Sequence, residues 1–160
     1  MILLSGANLE NAKDFLKIAQ EEAKKSTCLS RRCGAILVKD SIVIGKGFNS
    51  PPRNLDSQKR CGLDKKSLDA KVTDKTCCIH AEQRAIFDAL SNGMNLSEST
   101  MYFTSIDENG NQILSRKPYC TLCSKMALDV GVKYWVLEHE KGIFVYDAEE
   151  YNKLSFEYKK

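Results

Sequence analysis

His80-Ala81-Glu82-Gln83 and, further along, Cys120-Thr121-Leu122-Cys123 are the stretches on which the reading of this chain turns. One His and two Cys are three good donors for a borderline-soft cation such as Zn²⁺, and three protein ligands leave a fourth position open for water. An open position implies chemistry rather than scaffolding. Glu82 stands two residues from the His, where a proton shuttle for that water belongs.

The spacing supports one shared ion. Cys120 and Cys123 are three apart, so at the start of a helix both thiols lie on one face and reach a single ion at about 2.3 Å each. Unpaired N–H groups and the positive end of the helix dipole favour thiolate there, and the helix that begins after His80 brings a second such end. Glu82 as a fourth ligand would close the coordination sphere. As a proton carrier it instead accepts a proton from the water and passes it on, as a zinc hydrolase requires.

Outward from these motifs, elements of two kinds alternate. Residues 8–25 carry Leu9, Ala12, Phe15, Leu16, Ala19 and Ala23 at helical spacing, with Asn8 as N-cap and Lys24 and Lys25 in the last turn. Two β-rich runs, 34–39 and 42–48, flank Asp40-Ser41 at a hairpin turn; their near-continuous apolar content predicts central antiparallel strands covered on both faces. Pro51 and Pro52 break the second strand. The polar, lysine-rich segment that follows, 53–79 up to the metal motif, is long for a loop and is expected to be an insertion or substrate loop, with a short helix around 65–71.

Past it, Ala81, Ala85, Ile86, Ala89 and Leu90 make the apolar stripe of a helix ended by Asn92-Gly93. Strands are predicted at 100–105, 133–137 and 142–146, a helix from Cys120 to about 130, and a last short helix at 148–154. The two metal-bearing helices, as crossovers, predict parallel neighbouring strands.

The 160 residues, 42% hydrophobic, suffice for one domain spanning 1–160. The 24 basic and 21 acidic residues are interspersed, a formal +3 that argues against a nucleic-acid partner. No apolar run reaches the ~18 residues of a spanning helix, and the N-terminal residues lack the pattern of a signal peptide, so a cytoplasmic protein without a membrane partner is expected. Seven cysteines, an odd number without a secretory context, point to metal binding or free thiols rather than disulfides.

Cys33-Gly34-Ala35-Ile36-Leu37-Val38, Gly47-Phe48-Asn49-Ser50-Pro51-Pro52-Arg53, His80-Ala81-Glu82-Gln83 and the Cys pair together resemble the cytidine/deoxycytidylate deaminase family, most of all its deoxycytidylate branch, over roughly residues 8–140. The resemblance implies an α/β, three-layer α-β-α fold with a mixed five-stranded sheet. It implies zinc held by His80, Cys120 and Cys123, Glu82 as the proton shuttle, and the Ala81 N–H receiving a pyrimidine 2-oxo group. It further implies Asn49 on sugar or base, Arg53 on a phosphate, a small-molecule pyrimidine nucleotide or nucleoside as substrate, and a homo-oligomer. A second, structural zinc would draw on Cys28, Cys33, Cys61, Cys77 or Cys78. Two departures stand out: Tyr119 separates Pro118 from Cys120, and position 84 is Arg where a small amide residue is usual.

Other readings stay open. Cys-x-x-Cys alone also suits a redox pair or half a structural zinc knuckle. The substrate could be another aminated heterocycle or a base within nucleic acid, and a non-catalytic zinc-stabilised binding module needs no Glu82. Tyr119 either stacks on a base or packs a helix start. Arg84 and Arg116 are further phosphate candidates, and His139 reads as a strand-end residue.

Overall fold

A computed structural model describes residues 1–29, 31–115 and 117–158. In chain order the elements are β1 (Ile2–Leu3), α1 (Gly6–Lys24), β2 (Arg32–Lys39), β3 (Ile42–Phe48), α2 (Ala81–Ser91), β4 (Thr100–Ile106), β5 (Gln112–Ile113), α3 (Thr121–Asp129), β6 (Tyr134–His139), β7 (Gly142–Asp147) and α4 (Ala148–Phe156). The strands form one sheet in the order β1-β7-β6-β4-β2-β3, with β5 paired to β4. All five expected strands are present, and the two-residue strands β1 and β5 raise the count to seven.

Side chains alternate across a strand, and the alternation here sorts the helices onto two faces. Cys33, Ala35 and Leu37 of β2 point to one side, where they share a core with Met101 and Phe103 of β4, Trp135 and Leu137 of β6, and the inner faces of α2, α3 and α4. The intervening Ile36 and Val38 meet Ala19 of α1 on the other side, and Val136 and Ile143 meet Ala12 and Leu16 of the same helix. The result is three layers. Trp135 is fully buried and stacks on Tyr151 with ring centroids 4.0 Å apart, a pair worth about 1 kcal/mol beyond its burial.

The Asp40-Ser41 hairpin forms as expected. Both residues have positive φ, 49° and 61°, the combination whose twist matches that of paired strands. Three expectations change. Helix α1 starts two residues before the expected Asn8 cap, after an extended Ser5 whose carbonyl accepts from the Leu9 N–H at 3.3 Å, a bond that a later start would forgo. β2 is central, but β3 is the edge of the sheet: Ile44 packs on the α2 side and Val43 on the α1 side, while Ile42 and Lys46 are exposed. Of the two crossovers, only that through α3 gives parallel neighbours, β4 and β6. The one through α2 returns beyond β2, which lies antiparallel to both β3 and β4.

Helix α2 is seated unusually deep, and this positions the metal motif. A Cβ at Gly47 of β3 would fall 2.2 Å from the Ala81 carbonyl oxygen and 2.5 Å from the Ala85 nitrogen, and one at Gly45 would fall 2.3 Å from the Ala85 carbonyl oxygen. Glycine in the strand and alanine in the helix (Ala81, Ala85, Ala89) therefore bring backbone against backbone. The start of α2 is held at a fixed depth against the sheet.

Segment 52–79 is closed at its base by a bridge between Ser50 and Ile79, whose N–H groups donate to each other's carbonyls at 3.3 and 2.9 Å. Inside it lie three three-residue 3₁₀ turns, Pro52–Asn54, Asp56–Gln58 and Lys65–Ser67. The last stands where a short helix was expected. Among the described residues no helix is long and apolar enough to cross a membrane.

Candidate metal centre and the cavity around it

His80 and Cys120 occupy equivalent positions, each the extended residue immediately before a helix, His80 ahead of α2 and Cys120 ahead of α3. The sheet brings the two helix starts together. His80 Nδ1 lies 3.2 Å from Cys123 Sγ and 3.4 Å from Cys120 Sγ. Zinc–sulfur and zinc–nitrogen bonds of ordinary length at a tetrahedral angle would place such atoms about 3.5 Å apart, so the donor set fits zinc. Among the described residues this is the group of three or more such side chains that converges on one point.

The neighbouring groups tune the donors. The Cys123 N–H, an amide of the first turn of α3, points at Cys120 Sγ at 3.4 Å. The Cys123 thiol, then His80 and that amide, hold Cys120 down to about 4, so it is a thiolate. The hydrogen bond that His80 donates to Cys120 lifts His80 to about 9, and the same thiolate together with burial pushes Cys123 well above the ordinary thiol range. A divalent cation needs neutral imidazole and two thiolates, so metal uptake here releases protons.

The other ring nitrogen is occupied as well. His80 Nε2 lies 3.4 Å from Thr76 Oγ1, and Thr76 donates its hydroxyl to Asp74 Oδ1 at 2.7 Å. With its proton committed to Asp74, the hydroxyl presents lone pairs to Nε2–H. That tautomer frees the Nδ1 lone pair for a metal. No motif marks Thr76 or Asp74 in the sequence; only their place at the end of segment 52–79 hints at a role.

Glu82 is buried in the first turn of α2. Burial, then the Cys120 thiolate, raises its carboxyl to about 7, against opposing pulls from His80 and its own backbone N–H. A carboxyl poised there both takes up and gives back a proton at neutral pH. Ahead of it, the Ala81 N–H is one of the first-turn amides a helix leaves without a partner of its own.

A cavity of about 330 Å³ opens beside these groups. His80, Ala81, Glu82, Asn49 and Tyr119 line it, together with Phe103. Asn49 is largely committed to the protein. Its Oδ1 accepts from Ser26 Oγ at 2.6 Å and the Cys33 N–H at 2.7 Å, and its Nδ2 donates to the Arg31 carbonyl at 2.9 Å, which leaves one N–H for the cavity. Tyr119 is half exposed and its ring tilts against Tyr158 at 5.9 Å.

Arg53 is not brought to this cavity. It is exposed and not among the lining residues, in a left-handed turn (φ 53°, ψ 20°) continued by Asn54, whose side chain accepts from Ser50 Oγ. The cations that line the cavity are Arg31, Arg60, Lys65 and Lys75. Arg84 is used structurally, donating to the Pro51 and Ser50 carbonyls at 2.8 and 3.3 Å and lying over the Phe48 ring. Arg116 lies outside the described residues. His139 ends β6 and pairs with Tyr146 Oη at 2.8 Å.

None of the seven cysteines is in a disulfide. Cys61 and Cys77 have their sulfurs 3.7 Å apart, and Cys77 and Cys78 3.8 Å, a chain of pairwise contacts rather than a set around one point. Among the described residues the three-donor group at His80, Cys120 and Cys123 has no second counterpart of the kind a structural zinc would use.

Comparison with known proteins gives concordant matches. The family model described as "Cytidine and deoxycytidylate deaminase zinc-binding region" matches residues 9–139. A deoxycytidylate deaminase of Schizosaccharomyces pombe is 35% identical over 78 residues, 47% of this chain and 24% of that protein. The chain thus spans about a quarter of the length of the fungal relatives it matches. A deoxycytidylate deaminase of Mycobacterium phage D29 is 27% identical over 132 residues, 79% of this chain and 92% of that protein. The dCMP deaminase of cyanophage S-TIM5, solved in complex with dCMP and dUMP, superposes with a TM-score of 0.58 at 25% identity, covering 79% of each chain.

Proposed function

The chain belongs to the cytidine and deoxycytidylate deaminase family, and we propose that it hydrolyses the 4-amino group of a cytosine nucleotide, dCMP above all, giving the 4-oxo product and ammonia. The observation that carries the reading is the convergence of His80 Nδ1, Cys120 Sγ and Cys123 Sγ beside a buried Glu82 at the wall of a cavity. Similarity to deoxycytidylate deaminases, one of them solved with dCMP and dUMP, supports the choice of substrate.

Zinc, when bound by His80, Cys120 and Cys123, supplies a Lewis acid that makes water acidic enough to attack at neutral pH. Glu82 carries the protons. Its carboxylate takes one from the attacking water, delivers it to ring N3 of the base, and moves a second from the new hydroxyl to the departing amine. One water enters and one ammonia leaves, and Glu82 ends in its starting state. The Ala81 N–H receives the 2-oxo group, Phe103 and Tyr119 flank the base, and the remaining Nδ2–H of Asn49 meets the sugar. Oδ1 of Asn49 already accepts from the Cys33 N–H and shares the Ser26 hydroxyl with the Asn49 carbonyl, so the group the asparagine offers there is its free Nδ2–H.

Ammonia release by the zinc-loaded protein from dCMP, deoxycytidine, cytidine and CMP tests the reading. Turnover of dCMP is expected to be highest, and no ammonia from any of the four removes it. Cytoplasmic location and assembly into a homo-oligomer belong to the same proposal. For assembly the support is that Ile42 of β3 and Phe87 and Leu90 of α2 are large apolar side chains left exposed. Light scattering that reports a monomer at working concentration rejects that part.

A further inference from the structure

The cavity beside the metal motif is lined by four cations as well as by thiols and the residues of the centre. Arg31, Arg60, Lys65 and Lys75 all line it, and the single carboxylate among the lining residues is Glu82. Among the described residues, ion pairs within 4.0 Å involve seven other cations, and none of these four takes part. Four like charges gathered on one small cavity repel one another unless an anion enters.

The four are also held in place. The Arg31 backbone is tied to the end of β3 by Asn49 Nδ2 at 2.9 Å. Arg60 Nη1 donates to the Gln58 carbonyl at 2.7 Å, and Lys75 Nζ to the Leu68 carbonyl at 3.0 Å, which leaves donors on each head group for a ligand. Lys65 opens the 3₁₀ turn capped by Asp64, whose Oδ1 accepts the Lys66 N–H at 2.9 Å. The base of the segment that carries Arg60, Lys65 and Lys75 is fixed by the Ser50–Ile79 bridge and by Arg84 on the Pro51 carbonyl.

We propose that Arg31, Arg60, Lys65 and Lys75 form the wall that recognises the 5′-phosphate of the substrate, so that segment 52–79 makes the enzyme select a mononucleotide over a nucleoside. The inference rests on the cytosine-nucleotide reading above and assigns its specificity to residues of the insertion. A phosphate dianion offers oxygens to several donors at once and neutralises charge that the protein itself leaves unpaired. The cavity, about 330 Å³, suits one nucleotide. A nucleic-acid strand would require a continuous basic groove leading away from the site.

The test uses the full chain loaded with zinc. kcat/KM is measured for dCMP and for deoxycytidine in the wild type, in Arg60→Ala, Lys65→Ala and Lys75→Ala, and in the charge-retaining Lys75→Arg. Binding of dUMP and of deoxyuridine is measured by calorimetry on the same proteins. Each alanine variant is expected to lower the dCMP-to-deoxycytidine ratio of kcat/KM about tenfold, through KM, and to weaken dUMP by a similar factor relative to deoxyuridine. Lys75→Arg is expected to restore most of the loss.

Ratios unchanged in all three alanine variants overturn the proposal, as does an equal fall for both substrates. Preferential deamination of a cytosine-containing oligonucleotide over dCMP also overturns it. Failure of the function reading is separable, because a zinc-loaded wild type that releases no ammonia can still be titrated. If it binds dCMP at least tenfold tighter than deoxycytidine the wall stands, and equal affinities overturn it.

Discussion

His80 Nδ1 lies 3.2 Å from Cys123 Sγ across 43 residues of chain. Neither residue could hold a metal without the other, and what joins them is the sheet that sets the starts of α2 and α3 side by side. Removal of zinc with a chelator is therefore expected to abolish ammonia release, and one equivalent of zinc to restore it. His80→Ala should lower bound zinc below 0.1 equivalent by the order-of-magnitude losses that follow deletion of a ligand, checked by metal analysis of the purified protein. Activity retained after complete chelation would separate the donor set from the reaction.

Glu82→Ala should keep the metal and lose the reaction. The carboxylate is not one of the three converging donors, so zinc content is expected near that of the wild type, while kcat falls about 10³-fold. Steady-state kinetics beside metal analysis decides it. Loss of zinc in the variant would make Glu82 a structural residue of the centre.

The same carboxyl sets a pH dependence of stability in the chelated protein. Its folded-state pKa is raised from 4.5 to about 7, so the folded state binds the proton more tightly than the unfolded chain. Stability from this group is full below pH 4.5, declines as pH rises through the window from 4.5 to 7, and is lost above it, by roughly 3 kcal/mol. Glu82→Gln lacks the titration. Urea melts of the two chelated proteins should therefore diverge in favour of the glutamine variant as pH is raised, and parallel curves would refute the assignment.

Thr76 is expected to tune the metal without touching it. Thr76→Val removes the hydroxyl that faces His80 Nε2 at 3.4 Å and donates to Asp74. It should weaken zinc affinity about tenfold or more while the fold is kept, which competition with a chromophoric chelator would measure. Thr76→Ser, which keeps the hydroxyl, should recover the affinity.

Gly47→Ala should reach the centre from the opposite side of α2. Its Cβ would meet the Ala81 carbonyl oxygen at 2.2 Å and the Ala85 nitrogen at 2.5 Å, backbone atoms that yield only if the helix moves. A loss of roughly 3 kcal/mol and weaker zinc binding are expected. Gly93→Ala is the control. It carries a left-handed φ of 71° with open space around the new Cβ, so it should cost about 1 kcal/mol and leave zinc affinity alone. Thermal melts and zinc titrations compare the two.

The sequence by itself determined the chemistry and most of the elements, because both rest on local relations. Metal-ligand residue types, their spacing at helix starts, the periodicity of α1 and α2 and the left-handed Asp40-Ser41 turn all follow from neighbours along the chain. Strand order did not follow, since which strand is an edge depends on pairing between distant segments; β3 therefore looked central. β1 and β5, two residues each, are too short to show any period. The course of segment 52–79 was equally hidden. Its path is set by the Ser50–Ile79 bridge and by Arg84 gripping the Pro51 carbonyl, so only the tertiary structure could turn Arg53 outward and bring Arg60, Lys65 and Lys75 to the cavity. The physical reason is one of range: helix starts and turns are fixed by bonds over a few residues, whereas a binding wall is assembled by contacts that close long loops.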